Sequence, residues 1–194
     1  VYKRQVMNIL VLSGSNAGNK TRIATTLLKE KLEAQYSDAT IKYINLQDVD
    51  LPFSDGRNYL DYGGDATEVL ATIIESDVIF IGSPIFQASM PAALKNIFDL
   101  LPQNALEGKT VSLLITAGSD KHFLIPEYNY KPVLSYLKAN IVPRYVFVLD
   151  TNFIDGQLQG DDVHLRLDRL IDDTMVLSET YKEITAKKEA QFGF

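Results

Sequence analysis

Short apolar runs alternate with amphipathic helical segments along most of this chain, and that alternation restricts its fold more than any other feature. Residues 8–13 (NILVLS) precede residues 21–35, in which Ile23, Leu27, Leu28 and Leu32 share one helical face. Residues 39–46 are the next strand candidate, and residues 65–76 place Val69, Leu70, Ile73 and Ile74 at helical spacing. The run 78–82 (VIFIG) is almost wholly apolar, as expected of a strand covered on both faces. Residues 91–101 carry Leu94, Ile97, Phe98 and Leu101 in an amphipathic helical pattern, and residues 110–116 (TVSLLIT) read as a strand. A short helix with proline in its first turn is predicted over 132–139, a last strand over 144–149 (RYVFVL), and a long helix from Asp161 with Leu167, Leu170, Ile171, Thr174 and Leu177 on one side.

Alternating strands and helices imply parallel strands joined by right-handed crossovers. The expected architecture is α/β, a doubly wound five-stranded parallel sheet with helices on both faces, and residues 1–194 are enough for one such domain. On such sheets ligands bind beyond the carboxyl ends of the strands. The residues just after each strand are therefore the ones to read for function. The irregular stretch 48–64 is the longest internal loop, and loops of that length are often functional or mobile.

Composition removes several function classes. A net charge of -6 argues against nucleic acid as a partner, because a phosphate backbone selects a basic face. With no cysteine, disulfides, thiolate catalysis and thiolate-bound metal are excluded, and His122 and His164 are too few for a histidine-built metal site. The apolar runs are far shorter than a membrane span, and the N-terminus lacks the apolar segment of a signal peptide, so a cytoplasmic protein without membrane association is expected. Met7 directly precedes the first strand, and residues 1–6 are read as a leader or an appended remnant without structural role.

Three loops come directly after predicted strands. The first runs Ser13-Gly14-Ser15-Asn16-Ala17-Gly18-Asn19-Lys20-Thr21. Its glycines allow tight turns, and its hydroxyls, its backbone N–H groups, the positive end of the next helix and Lys20 suit a phosphate dianion. It has neither the GK[ST] ending of a P-loop nor the dinucleotide GxGxxG pattern, which favours a mononucleotide. The competing reading is an ordinary polar turn with a helix N-cap. The second loop, Gly82-Ser83-Pro84-Ile85-Phe86-Gln87-Ala88-Ser89-Met90-Pro91, is stiffened by proline and offers an aromatic that either walls a flat ring or plugs the core. The third, Thr116-Ala117-Gly118-Ser119-Asp120-Lys121-His122, is small enough for close approach of a planar ligand, and His122 in it reads equally as a surface or capping histidine. One site that takes a phosphate at the first loop and a flat ring at the other two suits FMN.

These same stretches carry a resemblance. GSPIFQASMPAALKNIFDLLPQNALEGKTV, TAGSDKH and EYNYKPVLSYLKAN, in this order and spacing, resemble the NADPH-dependent FMN reductase family, and within it the flavin reductases of alkanesulfonate monooxygenase systems. The similarity covers residues 8–185. It implies a flavodoxin-like fold, FMN and NADPH (or NADH) as cofactors, and homodimers or homotetramers. By position, Ser13, Ser15, Asn19, Lys20 and Thr21 would hold the flavin phosphate. Pro84, Ile85, Phe86 and Gln87 would meet the ring and ribityl chain, and Thr116, Ala117, Gly118 and Ser119 would line the ring from the other loop. The resemblance also implies a π-type helical insertion at Tyr128, near a tetramer interface, and Phe123, Tyr128 and Tyr130 are expected to be exposed aromatics suited to such an interface. The chain departs from the family pattern at Asn16 and Ala17, where an arginine is usual, at Phe86, where many members have tyrosine, and at Ala117 in place of glycine.

The implied reaction is hydride transfer from nicotinamide to FMN, with reduced flavin passed to a partner monooxygenase. The cofactors carry that chemistry, so no side chain is assigned an acid or base role. Backbone amides from Ile85 to Gln87 are expected to stabilise negative charge on the ring. Two alternatives stay open: a quinone or azo reductase with tightly held FMN, and a flavodoxin-type electron carrier without enzymatic activity. A phosphoryl-accepting regulatory domain is set aside, because the end of the first strand, Leu10 to Gly14, supplies no acidic residue for Mg²⁺.

Overall fold

In the computed structural model, which describes residues 6–192, the apolar runs pair side by side as parallel strands. β1 (Asn8–Ser13) lies between β2 (Thr40–Asn45) and β3 (Val78–Pro84), and β3 pairs with β4 (Thr110–Ala117). The fifth position is filled by two short segments, β5 (Asn140–Ile141) and β6 (Val146–Leu149), both parallel to β4. The strand order is thus 2-1-3-4-5, that of the flavodoxin-like doubly wound sheet.

The last strand is shorter than expected, and its interruption has a local cause. Pro143 lies between the two segments and has no N–H to offer the ladder. Residues 1–5 of the expected leader lie outside the described residues.

Side-chain alternation along the strands sorts the core into two apolar layers. Leu10, Leu12, Ile79 and Ile81 point to one face, where they meet α2 (Asp65–Glu75), α3 (Ala92–Leu100) and α4 (Lys131–Tyr136). Ile9, Val11, Val78 and Phe80 point to the other, where α1 (Lys20–Gln35) and α5 (Asp161–Phe192) cover them. Every residue of β4 is buried, as a strand covered on both faces requires.

The face of α1 is rotated from the expected one. Thr21, Ala24, Thr25, Leu28 and Leu32 are buried, while Ile23 and Leu27 are half-buried. The Thr25 hydroxyl is satisfied by the Thr21 carbonyl at 2.9 Å and so tolerates burial against the sheet.

Two further elements appear. A small hairpin, β7 (Phe153–Ile154) and β8 (Gln157–Leu158), turns at Asp155-Gly156, both at positive φ, which is standard chemistry for a two-residue hairpin loop. The helix expected over 132–139 starts earlier, with one π-helical turn at Pro126–Tyr130 that runs into α4. The long loop 48–64 is tied to α3, where Asn96 accepts from the Ser54 N–H at 2.9 Å and donates to the Pro52 carbonyl at 3.0 Å. No helix among the described residues is long and apolar enough to cross a membrane, and none of their His, Asp or Glu side chains cluster in a group suited to a metal ion.

Candidate active site

The strand order reverses between β1 and β3, and the loops after these strands leave toward opposite faces of the sheet. At this point Gly14 donates its N–H to the Gly82 carbonyl at 2.7 Å. A Cβ on Gly14 would stand 2.9 Å from that oxygen, so the close approach of the two loops needs glycine. The crevice that opens there is where doubly wound sheets bind ligands.

The first loop delivers an uncapped helix end. The first intrahelical bond of α1 runs from the Ile23 N–H to the Asn19 carbonyl at 2.8 Å, so the N–H groups of Lys20, Thr21 and Arg22 have no partner within the helix. Asn19 stands at the N-cap but makes no side-chain cap, and the first turn holds no acidic residue. The polar-turn reading thus lacks its cap, and the positive helix end is available to an anion. The buried Ser15 hydroxyl braces the loop by donating to the Ala17 carbonyl at 2.6 Å. The Ser13 hydroxyl is buried at the base of the loop without a hydrogen-bond partner, an orphan that a bound ligand or water would satisfy.

In the second loop Pro84 and Ile85 are half-buried and Phe86 is 40% exposed, so Phe86 faces outward rather than plugging the core. The loop closes as a tight turn in which Phe86 and Ser89 exchange two backbone bonds of 2.9 Å, with Gln87 and Ala88 at φ 48° and 59°. Left-handed backbone at two non-glycine residues stores strain next to a candidate ligand site. The expected charge-stabilising amides are only partly free. Ile85 donates to the Thr116 carbonyl at 3.1 Å and Phe86 to Ser89, which leaves the Gln87 N–H as the one able to serve.

In the third loop Thr116 and Ala117 finish β4 buried, and Gly118 is exposed. The Ser119 hydroxyl accepts from the Lys121 N–H at 3.2 Å and starts the short turn that ends at His122.

Buried hydrogen bonds join the loops. The Thr21 and Thr116 hydroxyls share one of 2.8 Å, linking the first loop to the third. The Tyr130 hydroxyl donates to the Pro84 carbonyl and shares a bond with the Ser83 hydroxyl, each at 2.9 Å. Burial raises the Tyr130 pKa far above the ordinary tyrosine range, which keeps the phenol a neutral donor. Ser89 donates to the Asn129 side chain at 2.8 Å. Asn129 and Tyr130 both belong to the π-helical turn, which also contains the expected insertion residue, Tyr128.

Sequence reading gave Ser83, Asn129 and Asp150 no individual role, and it expected Tyr130 to be an exposed interface aromatic. Phe123 and Tyr128 are exposed, but Tyr130 is fully buried, because its phenol turns inward to the Ser83 and Pro84 oxygens. Asp150 stands directly after β6 and forms an ion pair with Lys20, Oδ2 to Nζ at 2.7 Å. Its place at the carboxyl end of a strand is the signal that singled out the other three loops, and the same rule applied to the last strand finds it.

An orphaned Ser13 hydroxyl, a free helix end and an exposed glycine and aromatic on the same edge fit a mononucleotide with a flat ring. The hollows elsewhere fit it poorly. One, of about 40 Å³ among Asn8, Thr40, Thr72 and Glu75 at the amino edge, is too small for a flavin. An open depression beside Pro143 and Asp173 offers no phosphate-binding loop.

Comparison with known proteins agrees with this geometry. The family described as NADPH-dependent FMN reductase matches residues 7–153. An NAD(P)H-dependent FAD/FMN reductase of Geobacillus thermodenitrificans is 31% identical over 165 residues, 84% of this chain and 89% of the relative. An FMN reductase (NADPH) of Escherichia coli is 42% identical over 81 residues, 42% of each chain. Among solved structures, the apo form of the NADH:FMN oxidoreductase EMOB superposes with a TM-score of 0.73 at 28% identity, covering 89% of this chain and 88% of that one. With the family match spanning most of the chain and the fold and loops in agreement, the chain belongs to the NADPH-dependent FMN reductase family, enzymes that use FMN and a reduced nicotinamide.

Proposed function

We propose that this chain binds FMN at the carboxyl edge of its sheet, transfers hydride to it from reduced nicotinamide, and releases the reduced flavin to a partner monooxygenase. The observation that carries this reading is the pairing of an uncapped α1 N-terminus with the ring-facing loops through the Thr21–Thr116 hydrogen bond. When bound, FMN supplies the hydride-accepting ring.

The side chains position and do not react. Ser13, Ser15, Asn19, Lys20 and Thr21, with the free helix N–H groups, would hold the phosphate. Phe86 and Gly118 would flank the ring, and the free Gln87 amide would serve its polar edge. Holding two rings in contact in this way supplies much of the rate. The relatives divide over the nicotinamide, with NADH named for the Pseudomonas putida reductase SfnF and NADPH for the Escherichia coli reductase, so both belong to the proposal.

A homodimer or homotetramer is part of the same reading. Phe123, Leu124, Tyr128 and Tyr136 are each at least half exposed around the π-helical turn and α4, and aromatic residues of this kind are enriched at subunit interfaces.

The test is an absorbance spectrum of the purified protein, followed by nicotinamide oxidation with and without added FMN. A colourless protein that oxidises NADPH or NADH only with added FMN supports flavin release. A yellow protein that reduces quinones or azo dyes without free FMN selects a tight-flavin reductase, an activity related to that of the Bacillus NADPH azoreductase, which is 24% identical over 180 residues. Flavin binding without nicotinamide oxidation selects an electron carrier.

A further inference from the structure

Lys20 is the single cation of the loop 13–21, and it does not face the crevice as an unpaired charge. Its ammonium lies 2.7 Å from Asp150 Oδ2, with both side chains about two-fifths exposed. Asp150 comes from the opposite side of the crevice, at the end of β6, and the same oxygen stands 3.5 Å from the position a Cβ on Gly118 would take. One carboxylate therefore reaches both the phosphate-side lysine and the ring-side glycine. The Phe153 ring, 6.0 Å from the ammonium, backs the pair.

A phosphate dianion that approaches the end of α1 meets a lysine already neutralised by a neighbour and a negative charge that repels it. The phosphate carries the ligand's charge, so the carboxylate acts most strongly there and less on a flavin that carries no phosphate.

We infer that Asp150 is a specificity-determining residue that limits the affinity of the site for the phosphate of FMN, and so keeps FMN an exchangeable substrate instead of a fixed prosthetic group. The inference rests on the FMN-binding reading above and adds the residue that sets the strength of that binding. In enzymes that hand over reduced flavin, weak phosphate binding favours turnover, because release can limit the cycle.

Fluorescence titration with FMN and with riboflavin, which lacks the phosphate, tests it on the intact protein. Asp150→Asn is expected to tighten FMN binding about three- to tenfold, the range of a solvent-exposed charge acting on a nearby dianion, and to change riboflavin binding by clearly less. The gain is expected to narrow from low to high salt as the charges are screened. Lys20→Gln is expected to do the reverse, weakening FMN clearly more than riboflavin. Equal tightening of both flavins, no tightening of FMN, or a gain that salt does not touch would each overturn the inference while leaving the FMN site standing. A wild-type protein that binds neither flavin would overturn the FMN reading and this inference with it.

Discussion

The Thr21 and Thr116 hydroxyls meet at 2.8 Å in the interior, 95 positions apart in the chain, and fasten the first turn of α1 to the end of β4. Neither side chain lies on the surface. Replacing one of them with valine keeps the shape but leaves the other hydroxyl buried without a partner, a loss of about 1–3 kcal/mol. The double variant Thr21→Val/Thr116→Val is expected to be less destabilised than the sum of the single variants, because no orphan remains. Urea unfolding of the four proteins measures the coupling. Additive single effects would show that the two hydroxyls act independently.

Tyr130 is a second anchor, holding the Pro84 carbonyl and the Ser83 hydroxyl from the π-helical turn. Tyr130→Phe is expected to cost about 1–3 kcal/mol of stability and to raise the KM for FMN by loosening the ring loop. It also has a pH signature. The folded-state pKa of Tyr130 is raised by burial, so above about pH 10 an unfolded tyrosine loses its proton while the folded one keeps it. The stabilisation that Tyr130 provides is thus complete below about pH 10 and is lost as pH rises beyond it, by up to about 1.4 kcal/mol per pH unit. The gap in stability between wild type and Tyr130→Phe is therefore expected to shrink between pH 8 and pH 11, and urea melts at the two values would show it. A constant gap would mean that the phenol ionises alike in both states.

Much of this arrangement is legible in the chain itself, and the remainder is hidden for identifiable reasons. β1, β3 and β4 stand out because strands covered on both faces are nearly continuous apolar runs. The loops after them are found from topology alone. The π-helical turn is different: Tyr130 and Leu134 are both fully buried at a spacing that also suits an ordinary α-helix, so periodicity cannot register one extra residue, and only the family resemblance pointed to it. The bonds from Thr21 to Thr116 and from Tyr130 to Ser83 join residues far apart in the chain, and no local pattern encodes such partners. The break in the fifth strand and the Asp155-Gly156 hairpin did leave local signals, a proline and an Asp-Gly pair, inside segments whose apolar pattern is too short to fix their ends.

Gly82 tests how tightly α1 is pressed onto the sheet beneath the crevice. A Cβ at this position would lie 2.1 Å from Thr25 Cγ2 and 3.4 Å from Thr21 Cγ2, well inside contact distance of the first. Gly82→Ala therefore has to displace the first turns of α1 or bend β3, and overpacking of this kind costs about 1–3 kcal/mol. Because α1 carries Lys20 and the free N–H groups, the displacement is expected to weaken FMN binding as well as lower the melting temperature. The clash is with a methyl group, so Thr25→Ser should relieve it. The serine keeps the hydroxyl that bonds the Thr21 carbonyl at 2.9 Å and Tyr43 at 3.0 Å. Gly82→Ala/Thr25→Ser is accordingly expected to recover most of the stability and the FMN affinity lost in Gly82→Ala. Thermal melts and flavin titration of the single and double variants measure both, and failure of Thr25→Ser to rescue would place the strain in the β3 backbone and not against α1.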